Sequence, residues 1–175
     1  MTEKEKVIKS ENAPQGKGKG CLVFFVLIVI IVAIAWACSG DPSYTAEEKE
    51  KYDEIVSGQV EWFEKDGQTL LGYIEDYGNG EMDALTCYQH MESMQSQNMK
   101  QQETLTSLLE QEGFKETEYS EAAESISAQY WAVAGAFKDY LDSGQTSDLN
   151  KVTENIDAAN YAISEYEKAR EEFLK

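Results

Sequence analysis

Residues 117–147 read TEYSEAAESISAQYWAVAGAFKDYLDSGQTS. Apolar and aromatic side chains fall at Tyr119, Ala123, Ile126, Tyr130, Val133, Phe137 and Tyr140, always three or four residues apart. That spacing puts all seven on one face of a helix of 3.6 residues per turn. Gly144 stops the helix, and a new one opens at Ser147 after a break of a few residues. So short a break leaves the second helix no course except back along the first.

The flanking sequence repeats the pattern. After Ser147 the stripe is Leu149, Val152, Ile156, Ala159, Ile163, Tyr166 and Phe173. Before Thr117, a helix from about Glu81 to Glu112 carries Ala84, Tyr88, Met91, Met94, Leu105, Leu108 and Leu109, with Asn98 and Gln101 in its middle and Gly113 as its end. Earlier still, Thr45 and Glu48 have the spacing of a capping box, and Tyr52, Val56, Phe63, Leu70, Tyr73 and Tyr77 follow. Gly78 is expected to supply the left-handed stop of this helix, with Asn79-Gly80 as the turn. Gly58, Gly67 and Gly72 weaken its interior and mark candidate close helix–helix contacts. Four amphipathic segments of similar length with glycine-marked breaks predict an all-α fold over residues 45–175, an antiparallel up-down-up-down four-helix bundle.

Upstream lies a segment of another kind. Residues 21–38, CLVFFVLIVIIVAIAWAC, hold no charge. As a helix they span about 27 Å, close to the hydrocarbon thickness of a bilayer. Lys17 and Lys19 flank one side and Asp41 the other, so the positive-inside rule predicts a single transmembrane helix with a cytoplasmic N-terminus and an extracytoplasmic C-terminal domain. Residues 1–20 mix charge, Pro and Gly with little to bury and are expected to be a disordered cytoplasmic tail, and 39–44 a linker. Three fates are open to the apolar segment: an uncleaved signal anchor, a lipidated form, or a cleaved signal. The stretch Ala35-Trp36-Ala37-Cys38-Ser39-Gly40 resembles the lipobox of bacterial lipoproteins, though Ala35 and Trp36 depart from its pattern. The resemblance implies that Cys38 is a lipid-attachment residue.

From Asp41 onward there are 30 acidic and 10 basic residues, a net charge of 10 − 30 = −20. Such a domain repels nucleic acid and anionic lipid, and suits basic partners, cations or a solvated surface. The three cysteines, Cys21, Cys38 and Cys87, make no disulfide framework, so packing must hold the domain.

No catalytic constellation can be assembled. His90 is the one histidine, and Cys87 stands three residues before it, where a di-iron bundle requires glutamate. Residues 76–83, DYGNGEMD, miss the EF-hand pattern at its third and fifth positions. No cofactor, metal site or enzyme activity is therefore expected. What the sequence offers is a binding surface. Trp131 falls about 120° from the centre of its stripe and Tyr161 lies nearly opposite its own, both near mid-height of neighbouring helices. Gln59, Asp66, Asn98, Gln101 and Arg170 fall on or beside the inner faces and form a candidate polar seam, with Glu54 or Glu121 as candidate partners of the one arginine. The leading expectation is a non-enzymatic interaction module for another envelope or surface protein, a second copy of the chain being a further candidate. The alternative is a lipoprotein-like sensor that binds a small ligand or ion in the polar seam.

Overall fold

The computed structural model describes residues 42–175; the membrane segment, the tail, Cys38 and the linker as far as Asp41 lie outside the described residues. Within them the secondary structure is wholly helical: α1 (Ala46–Gly78), α2 (Ala84–Gln111), α3 (Glu118–Ser143) and α4 (Thr146–Phe173), with no strand. None of these helices is long and apolar enough to cross a membrane.

Local chemistry fixes the ends. Thr45 and Glu48 close a capping box: the Glu48 backbone N–H donates to Thr45 Oγ1 at 3.3 Å, and the Thr45 N–H donates to the Glu48 carboxylate at 2.8 Å. Thr117 and Ser120 form the same reciprocal pair at the start of α3, a serine taking the glutamate's place. Asp83 caps α2 through the Thr86 N–H at 3.0 Å, so that helix starts at Ala84, the first residue of its stripe, and not near Glu81 as expected. Gly144 ends α3 with φ 65°. The stop of α1 differs from the expectation. The helix runs through Gly78, Asn79 stays right-handed, and Gly80 takes the positive φ of 76°. Glu81 and Met82 both donate to the Asp76 carbonyl there, so the chain reverses two residues beyond the expected glycine.

Cross-helix contacts give the directions. Lys51 of α1 pairs with Glu112 at the C-terminal cap of α2, while Cys87 near the start of α2 reaches the Tyr73 carbonyl near the end of α1. Asn98 meets Ser127, and Gln102 meets the Glu124 carbonyl, so α2 and α3 are also antiparallel. Tyr119 stacks on Tyr166 while Asn155 bonds to the Ala132 carbonyl, which sets α4 antiparallel to α3. One end of the bundle, called the lower end here, therefore gathers the start of α1, the α2–α3 loop and the end of α4.

The helices do not sit at the corners of a square. α3 packs on all three of the others, most intimately on α4, whereas the α1 and α4 backbones hardly approach each other. Two features of sequence account for this. Alanines 134 and 136 of α3 and 159 and 162 of α4 are buried, and small side chains let two backbones come close. Across the diagonal, the Tyr130 ring of α3 lies flat against Gly67 of α1. A Cβ at Gly67 would stand 2.1 Å from that ring, so only glycine fits. Gly58 and Gly72 make no such contact. The core follows the stripes, with Tyr52, Val56, Phe63, Leu70, Met91, Leu105, Leu109, Ile126, Val133 and Phe137 all buried. Each large apolar side chain so placed contributes about 1.5–3 kcal/mol. Ala84, Leu108 and Leu149, three members of the expected stripes, are instead exposed.

Candidate functional site

At the lower end, aromatic rings close the bundle. Tyr52 lies between Phe114, Tyr119 and Phe173, with ring centroids 5.3, 6.0 and 4.7 Å away. The hydroxyls are all used. Tyr52 Oη meets Thr117 Oγ1 at 3.0 Å, and Tyr44 Oη accepts from the Lys115 N–H at 2.9 Å, which pins the α2–α3 loop to the start of α1. In their midst Asp53 accepts three hydrogen bonds: from Arg170 Nε at 2.7 Å, from Arg170 Nη2 at 2.8 Å and from Tyr119 Oη at 2.6 Å. Burial alone would raise the Asp53 carboxyl, but the two-point guanidinium and the Tyr119 hydroxyl outweigh it and hold the group below its ordinary value of 3.8. Tyr119 is pushed far up, first by burial and then by its bonds to Asp53 and Tyr166. The arginine's partner is thus Asp53, not Glu54 or Glu121. One residue along a helix turns a side chain by about 100°, which takes Glu54 out to solvent.

Further along the seam between α1 and α2 lies an open groove of about 460 Å³. Ile55, Gly58, Gln59 and Trp62 form one wall, and Leu108 with Glu112 the other. Trp62 is 54 % exposed and has Lys65 over its ring at 5.1 Å. Beyond Gly58 there is nothing for a Cβ to meet, so the glycine widens the groove without closing it.

One to two turns above the groove comes a buried polar layer. Asn98 is fully buried, and its Oδ1 accepts from Ser127 Oγ at 3.2 Å. Asp66 of α1 is buried, and the Gln101 amide of α2 faces its carboxyl. Three atoms of this layer find no protein partner: Asp66 Oδ2, Asn98 Nδ2 and Gln101 Oε1. Burial pushes the Asp66 carboxyl up from 3.8, and Gln101 and Lys65 offset only part of that.

The five residues of the expected seam are therefore in three places. Asp66, Asn98 and Gln101 share the layer, Gln59 lines the groove about 10 Å below, and Arg170 belongs to the lower end. Trp131 and Tyr161 are 44 % and 65 % exposed. They stand on adjacent helices, but no ring contact joins them among the described residues. Elsewhere, His90 stacks on Tyr73 at 4.1 Å, and the Cys87 thiol is buried and pushed up by that burial. No cluster of three metal-ligating side chains occurs among the described residues. Asp53, Trp62 and the place of Leu108 beside the groove are not among the expected site residues. A signal was present for the first two, since Asp53 follows the core aromatic Tyr52 and Trp62 precedes Phe63, so that each lies about 100° off the stripe.

No protein-family model, no curated protein and no solved structure matches the chain.

Proposed function

We propose that this chain is a single-pass membrane protein, N-terminus cytoplasmic, whose acidic helical bundle stands on the extracytoplasmic side and works by binding another envelope or surface protein. The uncharged run 21–38 and the lysines on one side of it support the topology. Retention as an anchor, or lipidation at Cys38, would tether the same domain to the same face. The observation that carries the binding role is the set of large aromatic side chains left outside a well-filled core. Trp62, Trp131 and Tyr161 are all exposed, and Trp62 borders a concave groove with Leu108 at its edge. Tryptophan and tyrosine are the residues on which protein interfaces most often depend.

Photoreactive side chains placed at 62, 131 and 161 of the full-length chain, irradiated in cells, test this directly. One foreign protein linked at high yield from any of these positions, and lost when that position's neighbours are changed to Ser, supports the reading. Equal, low labelling of many proteins from all three counts against it.

A second reading, a lipoprotein-like sensor for a small ligand or ion, draws on the unpartnered atoms of the Asp66–Asn98–Gln101 layer. A ligand there would raise the melting temperature of the full-length chain by mass action, and Asp66→Leu would remove the shift. An acylated peptide beginning at Cys38 would favour its lipoprotein element.

A further inference from the structure

Two of the three unpartnered atoms of the buried layer are acceptors, Asp66 Oδ2 and Gln101 Oε1. With the carboxyl ionised, neither can serve the other, and each forfeits a hydrogen bond that water would have given it. A carboxylic acid and a primary amide, by contrast, are complementary at two points. The acid O–H donates to the amide oxygen while the amide N–H donates to the acid carbonyl. One proton thus satisfies both orphaned oxygens.

We propose that Asp66 is a proton-binding site, held as a neutral carboxylic acid whose Oδ2–H donates to Gln101 Oε1 while Gln101 Nε2 donates to Asp66 Oδ1. The proton comes from water and returns to it, so no other group need change state. The surroundings favour the neutral form. Asp66 is 7 % exposed and adjoins Gly67, where the Tyr130 ring of α3 seals the layer. From α2 it meets the uncharged Gln101, and in the same layer Asn98 of α2 is bonded to Ser127 of α3. Lys65, next to it on α1, is the charged side chain that acts against the neutral form, and it is exposed. The half-buried carboxyl of α3, Glu124, is turned to Thr106 instead. Burial raises the Asp66 carboxyl in keeping with this arrangement. The inference stands independently of the membrane topology and of any protein partner. It also differs from the ligand-sensing reading in its test, which contains no ligand but the proton.

The experiment compares urea unfolding of the full-length chain with that of Asp66→Asn across about pH 4 to pH 7. A carboxyl raised in the folded state gives a contribution that is full below its ordinary value of 3.8 and is lost as pH rises from there through its folded value. Asn cannot ionise, so the urea midpoint of Asp66→Asn should gain on that of the parent as pH rises. A constant difference, or one that grows as pH falls, would overturn the proposal. Should Asp66→Asn fail to fold, infrared difference spectra supply the second readout. They use a Glu124→Gln background, because burial raises that carboxyl as well. The carbonyl band of a buried carboxylic acid should persist at a pH where the exposed carboxylates are ionised; its absence would equally overturn the assignment.

Discussion

Asp53 and Asp66 stand on the same helix, thirteen residues apart by number, and their environments drive them in opposite directions. Asp53 faces a guanidinium and a phenol that donate three hydrogen bonds to its ionised form. Asp66 is more deeply buried and faces an amide, with one oxygen left unpartnered. Burial opposes ionisation at both, so the donors decide the outcome. The glycines beside them differ in the same sense. Gly58, above Asp53, opens onto a groove, whereas Gly67, next to Asp66, is filled by Tyr130. The lower half of α1 is thus paired in charge and open in shape, and the layer above is sealed and leaves one Asp66 oxygen without a partner.

Closing space at the sealed glycine should have the largest effect. Gly67→Ala must push the Tyr130 ring or the α1 backbone aside and is expected to cost about 2–3 kcal/mol in urea unfolding. A neutral result would mean that the diagonal contact between α1 and α3 is loose. Next comes the ion pair. Arg170→Met should cost about 1–2 kcal/mol near pH 7, the exposed side of the guanidinium keeping the loss below that of a fully buried pair. Because Asp53 is depressed, the stability it contributes is present above its ordinary value of 3.8 and disappears as pH falls through its folded value. The gap between parent and Arg170→Met should therefore narrow in acid, the reverse of the Asp66→Asn comparison. Tyr119→Phe, which removes one donor from Asp53 and leaves the ring, should cost about 1 kcal/mol. At the small end, Gly58→Ala should raise stability, by up to about 1 kcal/mol, because its Cβ meets nothing and alanine favours the helix.

The helices and their facing were legible because period is a property of a single segment. Tyr119, Ile126, Val133 and Phe137 lie inside for the reason that their spacing announces. Thr45 and Glu48 formed the cap their spacing implied, for the same local reason. Pairwise facts were not legible. The bond between Asp53 and Arg170 joins residues 117 apart, and nothing in either neighbourhood names the other. Nor does a run of alternating stripes say which diagonal of the bundle is short. That depends on Tyr130 meeting a residue without a side chain, a match visible only when α1 and α3 are side by side. The exposed Leu108 shows a further limit: it fits the helical period of α2, yet it flanks a groove because Gly58 in the facing helix does not reach it. The positions of Asp66 and Gln101 on inner faces were readable, but not the orphaned oxygens that make them a pair.

The most direct measurement is a carbon-13 side-chain carboxyl titration of the full-length chain, with the Asp53 and Asp66 signals assigned by the substitutions Asp53→Asn and Asp66→Asn. Asp53 should titrate below 3.8 and Asp66 above it. Coincident midpoints, or Asp66 titrating below Asp53, would contradict it.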